Sequence, residues 1–280
     1  MSGFIVSKDK PIGDYVALYL ARSKIGGAEG YERGRGGAVT ALLIYLLDKK
    51  IIDAVVVTKK TRGLEGEIKV AKTREDLLEA AGTRWSVLPY TAKLRESLME
   101  EDIQRVAIVG LPCQAQFLRQ MQLYPLLETD FSKKISLIIS LFCMGTYASE
   151  AFIAFLKKVY KLNPEDIVDI QLRGDTLYVR MPDEEKEIPT QEILPYVQLG
   201  CLICPDYTGI FSDISAGLSE VHLGYTVLIA RNENAVKIIQ EAEKAGYIET
   251  KPGTLDIVEE VKFRAETKLI RAMKYASMLL

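Results

Sequence analysis

The sequence predicts an α/β protein in which a mixed sheet is flanked by helices, with an α+β second half and a C-terminal helix. Three observations predict it. In the first half, runs rich in Ile and Val alternate with segments of helical spacing. Between residues 167 and 189 the pattern changes to three short β segments, IVDIQL, TLYVRM and KEIP, around a Gly174-Asp175 turn. The tail, residues 255–280, is heavily charged and reads as helix. The expected regions are 1–100, an N-terminal α/β region; 101–254, an α+β region; and 255–280, the C-terminal helix. Residue 162 offers an alternative boundary, and no obvious linker marks either.

Residues 23–37, SKIGGAEGYERGRGG, are the most glycine-rich stretch and read as a loop ending at a helix start. Gly36 and Gly37 precede AVTALLIYLLDKK, which has helical spacing and length. IIDAVVVT (51–58) is a buried strand. REDLLEAAG (74–82) is a helix closed by Gly82, and LRESLMEED is another. VAIVGLP (106–112) and KISLIISLFCMG (134–145) read as strand runs, the second followed by a helix over 148–161. After the short β segments comes a turn-rich stretch, LGCLICPDYTGIFSDISAG (199–217). YTVLIAR (225–231) is a strand and NAVKIIQEAEKAG (234–246) an amphipathic helix.

Composition narrows the function classes. Lys and Arg total 36 and Asp and Glu 38, a net charge of −2. That near-neutral balance carries no electrostatic footprint for nucleic acid. The longest apolar runs, Ala38–Leu47 and Ile135–Met144, are well short of the roughly 18–20 residues of a membrane span. The N-terminus lacks a basic head, apolar stretch and cleavage site, so the expected location is the cytoplasm. A single histidine, His222, argues against any site built on several imidazoles. Four cysteines are too few for a secreted disulfide scaffold and are the natural carriers of any metal or redox chemistry.

Cys201 and Cys204 form a C-x-x-C element between Gly200 and Pro205, a spacing that lets two sulfurs face one metal from a tight turn. Cys113 follows Gly110-Leu-Pro112 at a strand end, and Cys143 ends the run ISLIISLF just before Gly145. Taken singly, Cys113 and Cys143 read as buried core residues, and an isolated C-x-x-C reads equally as redox dithiol, metal site or coincidence. Four thiolates suit zinc or a [4Fe–4S] cluster. One pair plus two distant singles is unlike the paired motifs of structural zinc and tilts the reading toward iron–sulfur.

These residues carry a resemblance. Gly36-Gly37-Ala-Val-Thr40-Ala-Leu, Ile51-Ile-Asp53, Ala81-Gly82-Thr83-Arg84-Trp85, Pro112-Cys113-Gln114, Cys143-Met144, Gly200-Cys201-Leu-Ile-Cys204-Pro-Asp206-Tyr207 and Asp213-Ile-Ser215-Ala-Gly217 occur in one order over roughly residues 30–230. The ordered set resembles the beta subunits of coenzyme F420-reducing hydrogenase and of formate dehydrogenase. The resemblance implies an oxidoreductase subunit that binds FAD and one [4Fe–4S] cluster. Its cluster ligands would be Cys113, Cys143, Cys201 and Cys204. Electrons would pass from cluster to FAD and leave as hydride to coenzyme F420, FAD bridging one- and two-electron carriers. The implied partners are hydrogenase large and small subunits or an equivalent electron donor. An electron-transfer subunit serving a non-F420 acceptor (ferredoxin, thiol or another carrier) and a zinc-stabilised structural module are the alternatives.

Beside the resemblance, the local chemistry offers candidate residues for the flavin it implies. Gly36 and Gly37 at a helix N-terminus suit a pyrophosphate, with Thr40 one turn in; a plain glycine-rich loop is the competing reading. Gly82, Thr83 and Arg84 form a second phosphate site or an ordinary helix end. Gln114 either contacts the flavin ring or caps its helix, and Trp85 either stacks on a ring or packs in the core. No catalytic acid or base is assigned, since hydride transfer between flavins rests on stacking and positioning. Arg33-Gly34-Arg35, where the family carries polar residues before its paired glycines, adds positive charge beside this loop.

Overall fold

Runs of consecutive buried residues, covered on both faces, build the central strands of the larger sheet. The structure, a computed structural model, describes residues 6–26, 36–82, 88, 94, 98, 102–124 and 130–278. Strand β1 (Ala17–Ser23) is followed by helix α1 (Ala38–Asp48), β2 (Ala54–Lys60), β3 (Gly66–Ala71) and α2 (Arg74–Glu79). Then come β4 (Val106–Gly110), α3 (Pro112–Leu123), β5 (Ile135–Leu141) and α4 (Ser149–Lys158). The chain continues through β6 (Asp169–Arg173), β7 (Thr176–Arg180), β8 (Glu185–Pro189) and two short helices, α5 (Thr190–Ile193) and α6 (Leu199–Leu202). It ends with β9 (Ile214–Leu218), β10 (Thr226–Ala230), α7 (Glu233–Lys244), β11 (Ile248–Pro252) and α8 (Leu255–Ser277).

Eight strands form one mixed sheet in the order β11-β1-β10-β9-β5-β4-β2-β3. Its centre, β9-β5-β4-β2, is parallel, and the flanking pairs are antiparallel. Alternate side chains cover opposite faces. Leu228 and Ala230 of β10 join the core made with α1 and α7. Val227 and Ile229 join the core made with α8, and Ala115 and Leu118 of α3 pack beside Val106 and Ile108 at the other end. Helix α1 is buried from Ala41 to Leu46 without interruption, as an apolar helix between the sheet and α2 and α7 must be. The strands β6, β7 and β8 form a separate antiparallel meander with its own core around Phe152, Leu156 and Leu177.

The large sheet runs across residue 100, since β2 pairs with β4. The sequence reading finds most of the elements but not β1, β3, β9, β11 or the short helices α5 and α6, and its LRESLMEED helix lies, but for residues 94, 98 and 102, outside the described residues. It also carries the 106–112 strand two residues too far, because Pro112 stands at the first turn of α3, where a missing N–H costs nothing. The tail is a helix, as expected, and one face of it is buried through Ile257, Val261, Ala265 and Leu269.

Helix α2 starts in a reciprocal cap. Thr73 Oγ1 accepts from Asp76 N, and the Asp76 carboxylate accepts from Thr73 N and Lys72 N. Lys69 beside that carboxylate, with the backbone donors, lowers its pKa from 3.8 to about 2. Asp76→Ala is therefore expected to cost about 1 kcal/mol at neutral pH. Because the folded-state value is depressed, this contribution is complete above the ordinary carboxylate value and is lost as pH falls through about 2. Denaturant melts of both proteins at pH 7 and at pH 2 measure it: the difference should shrink at the lower pH.

Candidate functional site

Four parallel strands end at one cavity. Val57 and Thr58 of β2, Val109 of β4, Leu141 of β5 and Gly217 of β9 all line it from the carboxyl side of the sheet, the side where open α/β sheets place their ligands. Its volume is about 540 Å³, within the range of a cofactor pocket. Helix α1 points its N-terminus at the same space through Gly37, Ala38, Val39 and Thr40. Gly37 caps that helix in the left-handed conformation at φ 64°, no side chain caps it, and its first turn holds no acidic residue. The N-terminal amides and dipole of α1 are thus presented to the cavity without a built-in anion. Gly36 stands behind them. A Cβ there would lie 2.6 Å from Thr226 N and 2.8 Å from Ala21 O, so only glycine lets the loop dock on β1 and β10.

The cysteines gather beside this cavity. Cys113 is in the first turn of α3, Cys143 follows β5, and Cys201 and Cys204 surround the end of α6. Cys143 N donates to Tyr207 O at 2.9 Å, which ties the segment after β5 to the segment after the C-x-x-C. Thr146 N donates to Cys201 Sγ at 3.4 Å, and Thr146 Oγ1 lies at the same distance. A Cβ on Gly145 would be 3.5 Å from Cys201 Cβ, so the two segments touch. Burial pushes the Cys143 thiol up to about 11, with Lys268 opposing the shift and Cys201 and Cys113 adding to it. Cys113 is the exposed member, yet its thiol is also raised, first by desolvation and then by the charges of Cys204 and Cys201. Each of these two thiols therefore feels the charge of its neighbours.

Among the described residues no group of three or more His, Cys, Asp or Glu side chains stands ready to hold a metal ion. A tetrahedral zinc site needs its thiolates about 3.8 Å apart. A cubane takes each thiolate on a different iron and needs them more widely spread. Four free thiols on three segments, two of them raised by burial and by their neighbours, with Thr146 N–H directed at the Cys201 sulfur, have the donor chemistry either group takes. Two buried side-chain polar atoms among those described lack a partner, Ser140 Oγ and Arg271 Nε. Both border these segments. Ser140 Oγ abuts Gly209, and Arg271 donates to Met144 O and, at 3.1 Å, to Cys201 O.

The residues singled out in the sequence divide clearly. Gly37, Thr40, Gly82 and Cys143 line the cavity. Gly36 supports it from behind. Thr83, Arg84, Trp85, Arg33 and Arg35 lie outside the described residues. Gln114 turns back onto its own helix, its Oε1 accepting from Leu111 N at 2.7 Å, as the capping reading expects. Asp206 caps a turn, accepting from Gly209 N and Ile210 N. His222 is paired with Asp256 at 3.0 Å on the surface. Sequence reasoning missed the polar stripe that α8 contributes. Asp256, Glu260, Arg264 and Lys268 recur every four residues and in turn meet His222, Ser219, Glu220 and Cys143 O. The available signal was a lysine, Lys268, set among the apolar positions Val261, Ala265, Leu269 and Ala272.

The family model for the C terminus of the coenzyme F420 hydrogenase/dehydrogenase beta subunit matches residues 103–255, and the model for its N-terminal part matches 21–95. The chain belongs to the coenzyme F420 hydrogenase/dehydrogenase beta-subunit family. The family's members are subunits of oxidoreductases. The chain is similar to the coenzyme F420 hydrogenase subunit beta of Methanothermobacter thermautotrophicus, at 32% identity over 81% of this chain and 79% of the relative. The subunit of that name from Methanococcus voltae is 30% identical over 92% and 94%. A chain of the F420-reducing [NiFe] hydrogenase complex of Methanosarcina barkeri superposes with a TM-score of 0.88 at 26% identity, covering 96% of this chain and 93% of the other. The two family models leave a gap between residues 95 and 103, and the sheet continues across it. No helix among the described residues is long and apolar enough to cross a membrane.

Proposed function

We propose that this beta-family chain binds FAD in the cavity and a [4Fe–4S] cluster on Cys113, Cys143, Cys201 and Cys204, and that it passes electrons from partner hydrogenase subunits to coenzyme F420. The single observation that carries the reading is the position of Cys143. Its residue lines the cavity while its thiol interacts with Cys113 and Cys201, so the two sites share a wall. When bound, FAD supplies the exchange between single electrons and hydride. The chain's own residues bind and orient. The free N-terminus of α1 receives the pyrophosphate, with Gly37 leaving room and Thr40 offering a hydroxyl. Leu141, Phe142 and Ala216 give the ring an apolar wall that excludes water. Thr146 holds Cys201 through its N–H, and the α8 residues Lys268 and Arg271 hold the backbone of the cysteine segments. The name of the superposed complex and those of the curated relatives support hydrogenase partners and F420 as acceptor.

Anaerobic purification tests this directly. Equal iron and acid-labile sulfide, bound flavin, and a broad visible absorbance that bleaches on reduction are expected. With an artificial one-electron donor the protein should then reduce F420. A colourless protein holding only zinc would overturn the whole reading. A reducible flavin without F420 turnover would overturn the acceptor.

A further inference from the structure

Helix α8 places one cation where an ordinary core helix would place a methyl group. Lys268 is 1% exposed and is among the largest fully buried side chains described. Its Nζ donates to Cys143 O at 2.6 Å and to Asp206 O at 2.6 Å. Those two carbonyls belong to segments far apart in the sequence, one following β5 and one following the C-x-x-C. No carboxylate pairs with Lys268 among the described residues, and it does not line the cavity. A buried ammonium without a counter-ion costs several kcal/mol. Two carbonyl dipoles satisfy two of its three N–H groups and supply no opposite charge. The groups within its field that become anionic on taking up a metal are the Cys143 and Cys113 thiols.

We propose that Lys268 is a positioning residue whose fixed charge sets the reduction potential of the centre held by the four cysteines, while its two hydrogen bonds clamp the segments that carry Cys143 and Cys204. The proposal rests on the cluster reading above. A thiolate-bound cubane is an anion that gains one more negative charge on reduction, and net charge and surrounding hydrogen bonds are among the terms that set its potential. A buried cation at fixed distance stabilises the reduced form more than the oxidised one, because Coulomb energy grows with the charge it faces. Arg271, one turn further along α8, donates to Met144 O and Cys201 O but also lines the cavity, so it is shared with whatever the cavity holds. Lys268 touches the cysteine segments without reaching the cavity.

Redox titration of the purified, cluster-loaded protein, followed by electron paramagnetic resonance, separates charge from clamp. Lys268→Gln keeps a hydrogen-bond donor and loses the charge; Lys268→Arg keeps the charge. The expected result for Lys268→Gln is a shift of tenfold or more toward the oxidised form, which is about 59 mV lower for one electron, at unchanged iron content. Lys268→Arg should stay within that interval of the unmodified protein. A Lys268→Gln protein with full iron content and the original potential would overturn the proposal, leaving Lys268 a purely structural clamp. Should Lys268→Gln hold no iron, Lys268→Arg decides: a retained potential supports the proposal, and a tenfold shift or loss of iron overturns it. Absence of iron from the unmodified protein would overturn the cluster reading instead.

Discussion

Cys201→Ser is expected to reduce bound iron to background while leaving bound flavin largely in place. Cys201 is the cysteine most tied to its surroundings. Its sulfur lies 3.4 Å from both Thr146 N and Thr146 Oγ1, and its carbonyl accepts from Arg271. Serine fits the space and keeps those hydrogen bonds, so the fold of α6 and its neighbours should survive without metal. What is lost is a soft thiolate ligand, which a hydroxyl does not replace at neutral pH. Stability should fall by the linkage to the bound centre, about 4 kcal/mol for a ligand present at about a thousand times its dissociation constant. Iron and sulfide analysis gives the first number, and anaerobic melts of Cys201→Ser against the unmodified protein give the second. Full iron content in Cys201→Ser would remove Cys201 from the ligand set. Zinc in the unmodified protein that disappears in the variant would return the site to a structural metal.

The sequence exposed the parts of this molecule whose physics is local. Helix α1 was legible because a near-continuous apolar run followed two glycines, and β10 because YTVLIAR is β-branched and bounded by turn residues. The four cysteines stand out as the carriers of any metal chemistry, but their grouping into one ligand set rests on the resemblance, since Cys113 and Cys143 taken singly read as core residues. Strands β1, β3 and β11 were not, since ALYLARS, GEIKVA and IETKP mix polar and apolar residues and gain their pairing from neighbours in the assembled sheet. Strand β9 was hidden by Ser215 and Gly217. Gly217 is small because Phe142 crosses over it: a Cβ there would lie 1.9 Å from the ring. The role of Lys268 had one weak signal, its place among the apolar positions of the tail helix. A lone lysine in a charged tail reads as solvated until the fold buries it against the Cys143 and Asp206 carbonyls.

Gly36→Ala should give the reciprocal of the serine variant, with flavin lost and iron kept. The methyl group would stand 2.6 Å from Thr226 N, 2.8 Å from Ala21 O and 2.8 Å from Thr226 Oγ1. Two of these are backbone atoms of paired strands, and Ser23 N already donates to Gly36 O at 2.6 Å across the same contact. The strands do not yield, because β1 and β10 are held in continuous antiparallel register from Ala17 to Ala21. The strain therefore moves the entry of α1. Overpacking of this kind costs about 1–3 kcal/mol. If the bound state bears most of it, flavin affinity falls by roughly ten- to a hundredfold. Thr40→Val is the milder companion: it removes one hydroxyl from the cavity wall without strain and should weaken flavin binding by about fivefold, the worth of one hydrogen bond. Flavin content per chain and fluorescence titration of the flavin-free protein measure both. Gly36→Ala protein that keeps its flavin and loses its iron would place the cofactors the other way round, and would break the link between α1 and the cavity on which the flavin assignment stands.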